Sequence, residues 1–178
     1  MTAVTLRDIY EVKSLPSLIS HHSFLKISNL INSMSKSDLL LISVKRFYAI
    51  PENGQLLLDI LQHRKGISLR NLEFFVTNYA KQTNLTYVNN GKPFTVHVAY
   101  KSSLDGYSKK LFDPFCRTER ITFRVNDEDI VTTVAQLNFI RWCITNNIIS
   151  QLGGKGKNDA KCIDNNCINA DMHHLSDV

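Results

Sequence analysis

Apolar residues follow a helical spacing along the chain as far as Thr83, and a period of two takes over beyond it. Ser23 is placed to cap a helix whose Phe24, Ile27, Ile31 and Met34 fall on one stripe. Asp38 is placed to cap an apolar helix from Leu39 to Tyr48. Pro51, with acidic Glu52 behind it, opens a short helix carrying Leu56, Leu57, Ile60 and Leu61. Gly66 closes that helix and Ser68 caps the next, where Leu69, Leu72, Val76 and Tyr79 share a face.

Past Thr83, Leu85–Val88 and Phe94–Val98 alternate as strands around Asn89-Asn90-Gly91-Lys92. Asn-Gly supplies the positive φ angles of a tight hairpin turn, and Pro93 opens the second strand, where its missing amide does least harm. A helix follows, with Tyr100, Leu104, Tyr107 and Leu111 on one side. Asp113-Pro114 stops it, because a residue before proline avoids helical geometry, and the Asp side chain can accept the free amides of a new turn. Ile121, Phe123 and Val125 alternate again, Asn126–Asp129 read as a solvated turn, and Ile130–Thr132 return. Thr133 and Gln136 have the spacing of a capping box for a last helix, Val134 to Leu152, apolar over most of its circumference. Arg141 falls inside its apolar band. An arginine there needs an acid or several carbonyls, and Asp113 and Glu119 are the candidate partners.

These elements predict an α+β fold: a helical N-terminal part, two β-hairpins in a small antiparallel sheet, and a long buried C-terminal helix. The expected organisation is a helical extension over 1–37, a core domain over 38–152 and a polar tail over 153–178.

Composition narrows the class. With 178 residues, 43% hydrophobic and 21% charged, the chain can bury a full core. No apolar run approaches the roughly 20 residues of a membrane span, so no membrane partner is expected, and the N-terminal residues lack a signal-peptide core. Cys116, Cys143, Cys162 and Cys167 do not read as a secreted disulfide framework. The net charge of +5 and pI near 9.0 favour phosphate backbones or acidic partners without compelling either.

Charge matters most at Tyr107–Arg124, where Lys109, Lys110, Arg117, Arg120 and Arg124 interleave with Tyr107, Phe112, Phe115 and Phe123. Arginine binds phosphate through a planar fork, lysine as a point charge, and exposed aromatics stack on bases. Lys101, Tyr107, Lys109, Lys110, Arg117, Arg120 and Arg124 are therefore the candidate nucleic-acid contacts. Asp113, Pro114 and Arg141 are read as structural. The bland alternative is core aromatics with a solvated rim of cations.

Other chemistry is weaker. Cys116 beside Arg117 lacks a nearby histidine in sequence to act as base. Asp127-Glu128-Asp129 read as solvated acids, and Gly153–Lys157 lack the spacing of a phosphate loop. His21-His22, as adjacent residues, read as a polar helix entry, whereas Cys162, Cys167, His173 and His174 in the tail are within reach of a zinc geometry although the usual sites have tighter Cys spacing. No cofactor and no catalytic residue is expected.

Ile67-Ser68-Leu69-Arg70 with Phe75–Tyr79, Tyr100-Lys101-Ser102 through Phe112–Arg117, and Thr132–Phe139 carry a family resemblance. Over residues 38–150 the chain resembles a small protein family of the nucleocytoplasmic large DNA viruses, the mimivirus-like and phycodnavirus-like giant viruses. Ala135 stands where that pattern leads one to expect Gly. The resemblance implies a viral origin, with the host cytoplasm or the virion as context, and carries over no catalytic residue. The expected function is a non-enzymatic nucleic-acid-binding protein of such a virus. The alternative is a virion structural or assembly protein, a minor capsid or core component, using the same surface on other viral proteins.

Overall fold

The computed structural model of the chain describes residues 33–64 and 66–152. The expected Ser23 helix, apart from Met34, His21-His22, and the tail residues from Gly153 through Cys162, Cys167, His173 and His174 lie outside them. The chain divides into two compact units, Met1–Phe47 and Tyr48–Val178.

In the first unit, α1 (Lys36–Tyr48) starts earlier than expected and runs on to the first residue of the second. Ser35 rather than Asp38 sits at its cap. The Asp38 amide donates to Ser35 Oγ at 3.1 Å, while the Ser35 amide and hydroxyl donate to Asp38 Oδ2 at 3.1 and 2.6 Å. This is a reciprocal capping box, and it holds the Asp38 carboxyl below its ordinary pKa.

The second unit opens with α2 (Pro51–Leu61), which has proline at its start as expected. Leu57, Leu58 and Ile60 bury its inner side. Gly54 faces the second hairpin so closely that a Cβ there would lie 2.7 Å from Val125 Cγ2. The Asn126 amide group donates to Pro51 O at 3.0 Å across the same approach. After Ser68, whose hydroxyl accepts from the Asn71 amide at 3.1 Å, the backbone stays helical through α3 (Leu69–Phe74), a π-helical turn (Phe75–Tyr79) and α4 (Ala80–Gln82). The π turn brings Phe75 and Tyr79 into a stack with centroids 5.2 Å apart.

The first hairpin pairs β1 (Thr86–Asn89) with β2 (Lys92–Thr95) through Asn90-Gly91, both at positive φ. The expected strand through Val98 stops short. Val96 instead begins α5 (Val96–Tyr107), its amide donating to Leu85 O at 3.1 Å. Val96 and Tyr100, four apart, take the buried positions, so the helical period displaces the alternation. The expected continuation of this helix through Leu111 also breaks. Ser108 takes φ 72° and ψ 156°, and a separate turn, α6 (Lys109–Phe112), follows.

The second hairpin pairs β3 (Ile121–Val125) with β4 (Glu128–Thr132). Its turn is only Asn126-Asp127, both at positive φ, so Glu128 and Asp129 belong to the strand. The fold is α+β with two hairpins as expected, but each forms its own two-stranded sheet instead of joining one small sheet.

Finally, α7 (Val134–Thr145) ends well before Leu152. Asn147 takes φ 57°, and residues 148–152 form a further helical turn. The break is held by the first hairpin. Tyr87 Oη donates to Asn146 O, Asn89 Nδ2 donates to Asn146 Oδ1 at 3.3 Å, and Asn147 Nδ2 donates to Asn89 Oδ1 at 3.1 Å. Around α7 the core is aromatic: Phe112 meets Tyr100, Phe139 and Trp142 with centroids 5.7, 5.9 and 5.7 Å away.

Candidate nucleic-acid interface

Between α6 and β3 the chain turns a corner and runs without regular structure from Asp113 to Arg120. Asp113 leaves the helical region at ψ 114°, as its position before proline dictates. Its carboxylate accepts the Phe115 amide at 2.9 Å and its carbonyl the Cys116 amide at 3.1 Å. Two carboxamides on α7 brace the corner. Asn138 Nδ2 donates to Leu111 O at 3.0 Å, and Gln136 Nε2 donates to Pro114 O at 3.2 Å. Thr133 Oγ1 does accept the Gln136 amide at 3.2 Å, but the reciprocal half of the expected capping box is absent. The Gln136 side chain is taken by Pro114 O and by the Thr132 hydroxyl at 2.9 Å.

The braced loop forms one wall of a cleft of about 600 Å³. Arg117 and Arg120 line it from the loop, Arg70 from the start of α3, and His63 from the turn after α2. Phe115, 49% exposed, lies on the same rim with the Arg70 guanidinium carbon 5.8 Å from its ring centroid. Thr132, Thr133 and Gln136 close the floor at the head of α7. Among the described residues no Asp or Glu lines the cleft. Glu73, one turn beyond Arg70, is the nearest acid on that helix. Burial pushes its carboxyl above its ordinary pKa, Asp113 adds to the shift and Arg70 opposes it.

The sequence-derived contacts separate. Arg117 and Arg120 enter the cleft; Lys101, Tyr107, Lys109, Lys110 and Arg124 do not line it. Lys109 Nζ lies 3.7 Å from Asp113 Oδ2. Arg124 is held by Asp127 and Asp129 at 3.4 and 3.8 Å. Tyr107 stacks at 10° on Phe112 with centroids 5.6 Å apart and stays 39% exposed. Lys101 and Lys110 are exposed. Arg141 meets neither Asp113 nor Glu119 among the described residues. Its Nη2 donates to Asn138 Oδ1 at 2.8 Å and reaches the Tyr107 hydroxyl at 3.5 Å.

Arg70 and His63 were missed because they lie far from the basic run in sequence. The signal present was weak: a cation in the first turn of a helix, where the dipole disfavours it. Cys116 and His63 line the same cleft. Cys143 is fully buried and its thiol is pushed well above its ordinary pKa. Among the described residues no cluster of His, Cys, Asp and Glu is arranged to hold a metal ion. No helix among them is long and apolar enough to cross a membrane.

Residues 22–168 match a family of unknown function, DUF7197. The chain belongs to that family. The DUF7197 match takes in every residue that lines the cleft. The chain is also 42% identical over 104 residues to the uncharacterized protein L507 of Acanthamoeba polyphaga mimivirus. That stretch covers 52% of this chain and 40% of L507, so the chain spans well under half the length of that relative. The resemblance to a giant-virus protein family therefore holds for this DUF7197 member. No solved structure matches it.

Proposed function

We propose that this chain is a nucleic-acid-binding protein that grips backbone phosphates with Arg70, Arg117 and Arg120. The observation carrying the reading is the cleft itself: arginines from separate elements converge on it, and no carboxylate among the described residues lines it. Guanidinium groups held on a braced loop lose less freedom on meeting phosphate than mobile lysines do. The hydrogen bonds from Gln136 to Pro114 and from Phe115 to Asp113 supply that bracing. A net charge of +5 adds long-range attraction.

Binding of a labelled random-sequence oligonucleotide, titrated with salt, tests this. With three phosphate contacts the log–log slope is expected to lie between about −2 and −3. Arg117→Ala with Arg120→Ala should cut the slope to roughly a third and weaken binding severely at every sequence. Undetectable binding at low salt, or an unchanged slope in the double variant, rejects the reading.

A further inference from the structure

We infer that the cleft takes a single strand, with one base resting on Phe115 and the flanking phosphates on Arg117 and Arg120. This deepens the nucleic-acid reading and rests on it. Duplexes are usually read by elements that project into a groove. Here the cations line a concavity instead, and at about 600 Å³ it has the size of a small-molecule pocket. A splayed nucleotide can enter such a space; a paired one cannot present its base there.

Phe115 supplies the stacking face. Its ring is 49% exposed although the fold has an aromatic core three residues away, where Phe112 is fully buried. The exposure is built in, because Asp113 holds the Phe115 amide at 2.9 Å and Gln136 pins Pro114 O at 3.2 Å. Arg70 stands at the outer limit of cation–π contact, 5.8 Å from the centroid, so its guanidinium can turn to a phosphate at little loss. The Gln136 amide group is already engaged at both ends. One aromatic face makes a stack that tolerates many sequences.

The test uses the full chain and fluorescence anisotropy at about 50 mM salt. The probes are a labelled oligo-dT of about 15 nucleotides, the upper end of single-domain site sizes, and a duplex of equal length. Unlabelled dTMP serves as competitor. The single strand is expected to bind at least about tenfold tighter than the duplex. Phe115→Ala should lower single-strand affinity by about tenfold and Phe115→Trp should restore it. The single strand should also protect Cys116, which lines the cleft, from alkylation, read by mass spectrometry of its peptide.

Equal or tighter duplex binding that Phe115→Ala leaves unchanged overturns the single-strand assignment while leaving phosphate binding standing. Displacement by micromolar dTMP assigns the cleft to free nucleotides and overturns the strand. Single-strand binding without Cys116 protection moves the site elsewhere and overturns it too. Absence of binding to both probes sinks this inference and the nucleic-acid reading together.

Discussion

Phe112 and Phe115 stand on either side of Asp113-Pro114, and the structure uses them in opposite ways. Phe112 has no exposed surface and meets Tyr100, Tyr107, Phe139 and Trp142. Phe115 is half exposed, with the Arg70 guanidinium beside its ring. The cations divide at the same point. Those before the corner, Lys109 and Lys110, sit on the solvent side of α6, whereas Arg117 and Arg120 after it line the cleft. A basic-aromatic run is thus two things joined by a turn. Its first half anchors the fold, and its second half is held away from the core by that anchor.

The largest effect should come from the anchor. Phe112→Ala removes a fully buried ring and is expected to cost about 3–5 kcal/mol, enough to unfold a marginal domain. Phe115→Ala should move stability by no more than about 0.5 kcal/mol. Chemical denaturation of the two variants side by side checks the division. Equal losses would mean that both rings belong to the core and that the corner separates nothing.

A smaller effect is expected at the hinge. Asp113→Ala removes the acceptor of the Phe115 amide, as loss of a helix cap does, and should cost about 1 kcal/mol. It should also free the loop. Hydrogen exchange at Phe115 and Cys116 is therefore expected to rise while exchange in α7 stays slow. Exchange rising equally in α7 would show that Asp113 supports the core rather than the corner.

How much of this was legible follows from which forces are local. Asn90-Gly91 and Pro114 act on their own backbone, so the first hairpin turn and the end of the helix before the corner were readable. Alternation at Val96–Val98 misled, because buried Val96 and Tyr100 satisfy a helical spacing equally well and the α5 packing decides between them. The break at Asn146-Asn147 was visible only in hindsight. Asn tolerates positive φ, but what fixes the break is Tyr87 and Asn89 on a distant hairpin. At the cleft the same limit applies. Arg117 and Arg120 could be picked from composition, while Arg70 and His63 join them only through tertiary packing. The braces from Gln136 and Asn138 belong to that class: neither residue type reveals which carbonyl it will find.

The smallest effect belongs to the outer cations, and it separates cleft from corner most cleanly. Lys109, 72% exposed, lies 3.7 Å from the half-buried Asp113, a partly solvated pair of a kind worth up to about 1 kcal/mol. Lys110 is exposed and lines no part of the cleft. Lys109→Ala with Lys110→Ala removes as much formal charge as Arg117→Ala with Arg120→Ala. If affinity came from net charge alone, both doubles would weaken oligonucleotide binding alike and flatten the salt slope alike. If convergence in the cleft carries it, the lysine double should change affinity by less than about twofold at physiological salt. The Debye length of about 8 Å there screens charges that do not touch the ligand. Anisotropy titrations of the two doubles at one ionic strength decide the matter. Matching losses would return the whole Tyr107–Arg124 run to a diffuse basic surface, with Phe115 exposed on it for some other reason.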